Sequence, residues 1–317
     1  MTALIIGAGG FAGGYLIREL AENRNWSVYA TKLPAEQISS DLCTICDLNI
    51  LNEEDITALL ASVRPDHIFH LAAQSSVKVS WDRPALTVDI NIRGSVNLLQ
   101  AVRKSGQKPR VILIGSGEEY GYAADQSTPV SESTPPDPGN VYAVTKYTQN
   151  MIGALYHRAY GMDIISVRAF NHFGPGQSPQ FVASDFCRQA AMIEAGRQEP
   201  DISVGNLSAI RDFTDVRDIM RAYADLAVSG KSGETYNVGS GHAVAIREIL
   251  DTICSLSSVP INVTADPARF RPADIPKIEA DIGKITRDTG WKPEIPLAET
   301  LKDTLNYWRK KIQSERS

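Results

Sequence analysis

The sequence predicts an α/β protein built on a doubly wound parallel sheet, with a smaller, discontinuous C-terminal domain. Through the first half of the chain, short apolar runs typical of strands alternate with amphipathic stretches typical of helices. This alternation indicates βαβ units, and right-handed crossovers then place helices on both faces of one parallel sheet. A glycine-rich turn follows the first apolar run directly, at the sheet edge where such proteins bind ligands. After residue 168 the regular alternation ends.

The spacing of apolar residues defines the predicted elements of the first half. A helix over about 85–104 is indicated by a stripe of apolar residues on one face: Val88, Ile92, Val96, Leu99 and Val102. The other predicted helices cover 52–63, about 142–160, and the stretch from the glycine turn to residue 20. The predicted strands are the apolar runs at 3–6, 27–30, 66–71, 110–114 and 163–167.

The second half is less regular. Turn-forming residues predict a loop at 171–177. Apolar spacing predicts helices at about 182–195, 213–226 and 297–308, with strands at 202–205 and 235–238. We therefore assign residues 1–169 and about 212–241 to one domain, and about 170–211 and 242–317 to a second, smaller one.

Composition and charge exclude several classes of partner. Of the 317 residues, 43% are hydrophobic and 22% are charged, as in ordinary globular proteins, and the net charge is -5. An acidic chain has no electrostatic reason to bind nucleic acid or an anionic membrane. The N-terminus has no basic segment typical of a signal peptide, and no apolar run reaches about 18 residues. We expect a cytoplasmic protein without nucleic-acid or membrane partners.

The four cysteines do not indicate a metal site. Cys43 and Cys46 form a Cys-x-x-Cys pair, but they fall in a predicted strand at 42–46, and residues three apart on a strand point to opposite faces. No second pair or nearby histidine completes a zinc ligand set. Cys187 and Cys254 stand among apolar neighbours at helical positions and are predicted to be core residues.

The glycine turn predicts a dinucleotide site. Gly7, Gly10 and Gly13 follow a predicted strand and open a predicted helix, with Phe11 between the second and third glycines. Glycine allows the backbone to approach a pyrophosphate closely, and the helix N-terminus supplies free N–H groups and a positive dipole end. Because strand, turn and helix occur together, we predict a Rossmann-like domain.

The end of the second predicted strand distinguishes between cofactors. A carboxylate there binds the ribose hydroxyl of NAD, whereas a basic residue favours the 2′-phosphate of NADP. The sequence has Lys32 at this point and no carboxylate, which favours NADPH, with NADH as the alternative. The other reading of Lys32 is an ordinary solvated lysine.

Two further strand ends are expected to contact the cofactor. Asp47 and Leu48 follow the predicted strand at 42–46 and are placed to meet the adenine. Leu71, Ala72 and Ala73 end the next strand, where the middle of the cofactor would pass. Both expectations follow from the rule that open parallel sheets bind ligands at the carboxyl ends of their strands.

Tyr142 and Lys146 are the predicted catalytic pair. Their spacing of four places both side chains on one helix face, and an ammonium beside a phenol favours the phenolate. Ser116 follows the strand at 110–114 and adds a hydroxyl. These three groups suit proton exchange with a carbonyl or alcohol while a hydride moves in the opposite sense.

Together these features resemble the extended short-chain dehydrogenase/reductase family. The matching positions are the three glycines, Asp47-Leu48, His70-Leu71-Ala72-Ala73, Asn91, Ser116 and the Tyr142–Lys146 pair. The resemblance covers nearly the whole chain. It implies that Lys146 also holds the nicotinamide ribose and that Ser116 hydrogen-bonds the reacting oxygen.

Motifs of the second half are similar to the GDP-mannose branch of that family. Arg211 and Arg271 suit a diphosphate, because guanidinium groups bind its oxygens bidentately, and Asp274 suits a ribose hydroxyl. Each arginine alone is also compatible with a surface ion pair. The resemblance implies further substrate contacts at four positions: Asn171, Val182, Val204 and Asn206.

The expected reaction is NAD(P)H-dependent reduction of the C4 ketone of GDP-4-dehydro-6-deoxy-D-mannose to GDP-D-rhamnose. The rival within the family is the 4,6-dehydratase, which needs a glutamate two positions after the hydroxyl residue, and Glu118 stands there. The absence of arginine from 31–35 and the serine at position 116, where dehydratases usually carry threonine, favour the reductase. Reduction to the C4 epimer, GDP-6-deoxy-D-talose, also stays open.

The resemblance also implies a homodimer. In relatives, the helices that correspond to about 85–104 and 142–160 pair across a twofold axis as a four-helix bundle. We therefore expect two copies of this chain to associate through those helices.

Overall fold

We analysed a computed structural model of the chain, which describes residues 1–38, 40–124, 128–269 and 275–315. The strands are β1 (Thr2–Ile6), β2 (Ser27–Lys32), β3 (Thr44–Asp47), β4 (His67–His70), β5 (Arg110–Ile114), β6 (Ile164–Ala169), β7 (Asn171–Phe173), β8 (Asp201–Val204), β9 (Ile210–Asp215), β10 (Thr235–Val238), β11 (Ala243–Ala245), β12 (Asn262–Ala265) and β13 (Lys277–Ile278). The α-helices are α1 (Phe11–Arg18), α2 (Glu53–Val63), α3 (Val77–Asp82), α4 (Pro84–Val88), α5 (Gly94–Ser105), α6 (Val141–Tyr160), α7 (Val182–Glu194), α8 (Val216–Ser229), α9 (Ile246–Leu256), α10 (Gly283–Thr289) and α11 (Leu297–Ser314). Among the described residues, no helix combines the length and apolarity needed to cross a bilayer.

The large sheet has the predicted doubly wound parallel architecture. Within the described residues it contains seven strands in the order β10-β6-β5-β4-β1-β2-β3, and every adjacent pair is parallel. The strand order reverses direction at β1, and because these strands are parallel, the carboxyl ends of β1, β2 and β4 lie at the same edge. This switch point is where open α/β sheets bind ligands.

Alternation along β1 explains why helices cover both faces of the sheet. Ala3 and Ile5 pack in one hydrophobic core, whereas Leu4 and Ile6 pack in another on the opposite face. All four side chains are at most 1% exposed. A strand that is apolar on both faces is stable only between two helical layers, which is why its sequence is a continuous apolar run.

The second half of the chain builds a smaller core. β7, β11 and β13 all pair with β9, and β12 pairs with β8. Helices α7, α9 and α11 pack against one another around buried apolar side chains such as Phe186, Ile249 and Leu305. This core lies beside the large sheet because β6 leads almost directly into β7.

Two predicted elements differ from the observed ones. The predicted loop at 171–177 begins with β7, and the first three residues of the predicted helix at 213–226 belong to β9. Asp215 separates the strand from α8, since its Oδ1 accepts from the Arg217 N–H at 2.7 Å as a helix N-cap. The polar residues Arg211 and Asp212 hide the strand pattern in the sequence, although both are buried.

Two helical predictions agree in place but not in detail, and one domain assignment differs from the structure. The helix predicted over 85–104 is divided by a π-helical turn at Asp89–Arg93 between α4 and α5. The final helix continues beyond the predicted end to Ser314. Residues 283–291, which the sequence assigns to the smaller domain, pack against α8 and β10, with Ile285 and Trp291 in the core of the large sheet.

A buried carboxylate fastens this last segment to the large sheet. Asp218 on α8 accepts from the backbone N–H groups of Glu294 and Ile295, both at 2.8 Å, and pairs with Arg221 at 2.6 Å. Its backbone carbonyl accepts from the Trp291 indole at 3.0 Å.

We expect Asp218→Ala to lower the free energy of unfolding by about 2–4 kcal/mol, because it leaves backbone donors and a guanidinium without their acceptor. Urea denaturation measures this change. The control is Asp251→Ala, which removes an exposed carboxylate 4.0 Å from Arg247 and should cost less than about 0.5 kcal/mol. Equal losses in the two variants would contradict the role given to Asp218.

Candidate active site

The glycine turn has the close contacts that its sequence predicts. Gly7 has a φ of 85°, and a Cβ there would lie 2.5 Å from the Ala72 Cα. A Cβ at Gly13 would overlap the Ala8 carbonyl, whereas one at Gly10 would meet only the Gly7 carbonyl at 3.9 Å. Gly7 and Gly13 therefore permit packing within the protein, and Gly10 leaves its side open towards a ligand.

The start of α1 fits a pyrophosphate. Gly10 is the N-cap, so no side chain accepts from the first N–H groups of this helix. A groove of about 440 Å³ runs beside the turn and is lined by residues that include Gly9, Gly10, Phe11 and Ser40. Free N–H donors beside an open groove suit an anionic group, so these residues fit the phosphates of a dinucleotide.

Lys32 is the residue predicted to bind the 2′-phosphate of NADP, but its ammonium already has an anionic partner. Its Nζ is 2.6 Å from the Asp47 carboxylate, whose side chain is 60% exposed. The backbone of Leu48 donates to the Lys32 carbonyl at 2.8 Å and fixes the two strand ends together. A cofactor phosphate would therefore compete with Asp47 for this ammonium.

Glu36 is a candidate site residue that the sequence analysis missed. Its Oε2 accepts from the Leu33 N–H at 2.9 Å, and its side chain lies against Gly9, so that a Cβ at Gly9 would overlap the carboxylate. The signal was an acidic residue four positions beyond Lys32 rather than at the end of β2. The chain therefore holds a carboxylate beside the glycine turn as well as an ammonium at the end of β2.

The end of β4 closes the other side of the turn. The N–H groups of Leu71 and Ala72 both donate to the Ile6 carbonyl, at 2.9 and 2.8 Å. Ala72 then contacts Gly7, and Ala73 is half-buried beside it. The predicted cofactor residues at the ends of β1, β2, β3 and β4 thus line one edge of the sheet.

Tyr142 and Ser116 meet at the end of β5. Asn140 caps α6, accepting from the Ala143 N–H at 2.9 Å, so that Tyr142 stands in the first helical turn. The Tyr142 phenol lies close enough to the Ser116 side chain to interact with it. Burial raises the pKa of Tyr142 above its ordinary value, and the interaction with Ser116 opposes that rise.

Contrary to the prediction, burial rather than the Lys146 ammonium dominates the pKa of that phenol. The Lys146 Nζ donates to the Ile114 carbonyl at 2.6 Å and to Gln149 Oε1 at 3.3 Å instead. Because Lys146 is 2% exposed, burial lowers its pKa to about 8, and the charge of Glu119 opposes the change. Desolvation dominates both groups, which the spacing of four residues could not reveal.

The predicted substrate residues fall into two groups. Asn171 and Arg211 line a small cavity together with Ser116 and Glu118, beside Asp212. Glu118 Oε2 accepts from Asn140 Nδ2 at 3.1 Å, and Arg211 donates to the Ile210 carbonyl at 2.9 Å. Arginine, amide and hydroxyl donors therefore surround the space next to Ser116 and Tyr142.

Three other predicted substrate residues, Val182, Val204 and Asn206, do not line this cavity. Val204 is buried in the smaller core, and Val182 packs against that core at the start of α7. Asn206 Oδ1 accepts from the backbone N–H and the hydroxyl of Ser208. Arg271 and Asp274 lie outside the described residues. Among those that are described, no group of His, Cys, Asp or Glu is arranged to hold a metal ion.

Comparison with known proteins places the chain in a family. A family model for GDP-mannose 4,6-dehydratase matches residues 4–304. The chain belongs to this family. The resemblance to the extended short-chain dehydrogenase/reductases is thereby confirmed, as is the prediction of an NAD(P)-dependent oxidoreductase.

Relatives and solved structures support the assignment. The chain is 36% identical to a GDP-6-deoxy-D-mannose reductase from Pseudomonas aeruginosa over 79% of this chain and 83% of the relative. It is 30% identical to a UDP-glucose 4-epimerase from Mycolicibacterium smegmatis over 99% of this chain and 100% of that protein. The solved structure of RMD from Pseudomonas aeruginosa complexed with NADPH superposes with a TM-score of 0.87 at 31% identity, covering 98% of this chain and 99% of that one.

The buried ammonium of Lys146 predicts a pH-dependent stability. Its folded pKa near 8 lies below the unfolded value of 10.5, so between these limits the unfolded chain binds more protons. The free energy of unfolding, relative to Lys146→Met, should therefore rise by about 1–3 kcal/mol from pH 8 to 10.5 and stay constant below pH 8.

Urea denaturation of both proteins across this range measures the difference. Lys104→Met, which removes an exposed lysine 2.6 Å from Glu53, serves as the control and should show no comparable rise. A difference between wild type and Lys146→Met that does not change with pH would contradict the assigned pKa.

Proposed function

We propose that the protein reduces the C4 ketone of GDP-4-dehydro-6-deoxy-D-mannose with NADPH, giving GDP-D-rhamnose. The observation that carries this proposal is the proximity of Tyr142 to Ser116, which lines a cavity together with Asn171 and Arg211. A protonated phenol and a hydroxyl at one point suit a carbonyl oxygen, and a guanidinium nearby suits the diphosphate of a sugar nucleotide. The similarity to a named GDP-6-deoxy-D-mannose reductase agrees with this direction.

The side chains divide the chemistry among them. The bound cofactor supplies the hydride. Tyr142 donates a proton to the C4 oxygen, and its raised pKa keeps the phenol protonated until that oxygen takes negative charge. Ser116 donates a hydrogen bond to the same oxygen, and the Lys146 ammonium stabilises the phenolate that forms.

NADPH is the cofactor that we favour, with NADH as an alternative. Lys32 is 15% exposed and could exchange Asp47 for a 2′-phosphate. Glu36 lies against Gly9 and is placed to accept hydrogen bonds from ribose hydroxyls, which would allow NADH to bind. The similar solved structure that contains NADPH supports the first choice. A cytoplasmic location stays a prediction.

The 4,6-dehydratase is the second candidate function, and one observation favours it. Glu118 lines the same cavity as Ser116, and its carboxylate is held by Asn140 at 3.1 Å. A carboxylate there could accept the C5 proton when water is lost.

Reduction to GDP-6-deoxy-D-talose would use the same residues, and it differs only in which face of the sugar receives the hydride.

The deciding experiment follows NADPH absorbance with GDP-4-dehydro-6-deoxy-D-mannose and, in parallel, with GDP-mannose alone. We expect oxidation only with the keto sugar, and NMR of the product should identify GDP-D-rhamnose rather than the talose epimer. Formation of the keto sugar from GDP-mannose without NADPH oxidation would identify a dehydratase instead.

In the same assay, Tyr142→Phe should lower kcat by about 100-fold or more while leaving NADPH binding unchanged, because it removes only the proton donor. Tyr160→Phe alters an exposed phenol at the far end of the same helix and should retain the wild-type rate. Near-normal turnover by Tyr142→Phe would exclude the assigned role.

We also propose a homodimer through α6 and its neighbours. Val144, Met151 and Leu155 share one face of α6, and each is about half exposed. Helices α4 and α5 pack beside α6, and α4 adds the exposed Val88. Such an apolar face on adjacent helices suits a second copy related by a twofold axis, which would complete a four-helix bundle.

Light scattering after size-exclusion chromatography should give the mass of two chains for the wild type. The double substitution Met151→Glu with Leu155→Glu should give the mass of one chain, because it would bury four carboxylates in an apolar interface. Val228→Glu introduces a charge at an exposed apolar residue of α8 and should stay dimeric. A monomeric wild type would refute the proposal.

A further inference from the structure

A fully buried carboxylate lies directly behind the proposed catalytic residues. Glu119, next to Glu118, is 0% exposed and stands in a short 3₁₀ turn that follows Ser116. We propose that Glu119 is a positioning residue that holds the Ser116 backbone at a set distance from the helix that carries Tyr142 and Lys146. The activity test of this inference rests on the proposed function, whereas the positioning role itself is argued from geometry.

The carboxylate joins three separate elements. Oε1 accepts from the Ser116 N–H at 2.8 Å and from Asn150 Nδ2 on α6 at 2.8 Å. Oε2 accepts from Arg168 Nε on β6 at 3.0 Å. The loop that ends β5, the catalytic helix and the neighbouring strand therefore meet at a single side chain.

The position of Asn150 makes this link relevant to catalysis. Asn150 lies four residues after Lys146 and eight after Tyr142, so all three share one face of α6. A Cβ at Gly115 would overlap both Asn150 Nδ2 and Glu119 Oε1, which shows how closely the loop approaches the helix. A shift of Glu119 would therefore move Ser116 relative to Tyr142.

The charge state follows from the surrounding groups. Arg168 is buried, with its guanidinium 4.7 Å from the centre of the Tyr120 ring, and its ion pair with Glu119 joins two buried side chains. Burial raises the pKa of Glu119, while Arg168 and the hydrogen bonds from Ser116 and Asn150 oppose the rise. An unpaired buried guanidinium would be costly, so we treat the pair as ionised.

The charge of Glu119 also acts on the catalytic groups. Lys146 and Tyr142 face it from α6, and Glu118 and Tyr120 flank it in the chain. Its negative charge raises the pKa of Lys146 against the effect of burial, and it raises the pKa of Tyr142. Neutral glutamine at this position should therefore lower the pKa of both groups, an effect that a purely structural residue would not produce.

The test compares Glu119→Gln with the wild type. Glutamine retains an oxygen for the Ser116 N–H but places an amide donor against Arg168 Nε. We expect kcat to fall about 10- to 100-fold with the KM for NADPH unchanged, because the reacting groups are slightly misplaced. The alkaline limb of the kcat/KM profile should move to lower pH by about one unit. Glu294→Gln, at an exposed glutamate, should change neither value.

An NMR titration gives a readout that needs no substrate. Lysine labelled with ¹³C at Cε, with the signal assigned by its loss in Lys146→Met, should titrate near pH 8 in the wild type and at lower pH in Glu119→Gln. An unchanged titration together with wild-type kcat would overturn the inference. If the shift occurs but the keto sugar is not reduced, the proposed function fails and the role of Glu119 stands.

A second variant covers the case in which Glu119→Gln does not fold. Asn150→Ala removes the link to α6 and leaves the Glu119–Arg168 pair in place. It should lower kcat by a similar factor, with an unchanged KM for NADPH and an unchanged alkaline limb. Wild-type kcat in Asn150→Ala would overturn the positioning role.

Discussion

The site depends on the close lateral contact of parallel strand ends. Because β1 lies between β2 and β4, the turn after β1 meets the ends of both neighbours, and Gly7 contacts Ala72 with no room for a side chain. The next strands outward, β5 and β6, bring Ser116 and Arg168 to the same edge. The strand order therefore places the cofactor groove and the proposed proton donor at the same edge of the sheet.

Desolvation is the second constraint on the site. Lys146 is buried and Tyr142 is half-buried, and the pKa values of both side chains respond more to lost hydration than to neighbouring charges. Lys146 is held by the Ile114 carbonyl, and Tyr142 by Ser116, so each polar group has a partner in the protein. A protonated phenol and a lysine with a lowered pKa suit a reaction in which a proton is delivered to a carbonyl oxygen.

Charge pairs organise the site at two depths. Near the surface, Lys32 and Asp47 form a pair that a cofactor phosphate could open, because Asp47 is largely exposed. In the interior, Glu119 and Arg168 form a pair that solvent does not reach. The exposed pair suits exchange between ligands, whereas breaking the buried pair would leave an uncompensated charge in the core.

Local spacing in the sequence was enough to predict the glycine turn and the helix that carries Tyr142 and Lys146, because each depends on residues within one turn or one strand. The alternation of strands and helices was enough to predict the parallel sheet. Only the tertiary structure decided that Phe213 belongs to a strand, that Glu36 lies against Gly9, and that Glu119 joins Ser116 to Asn150 and Arg168. These features arise between segments as far apart as 49 residues in the chain. They could not be predicted because buried polar groups must be paired, and their partners become neighbours only when the chain folds.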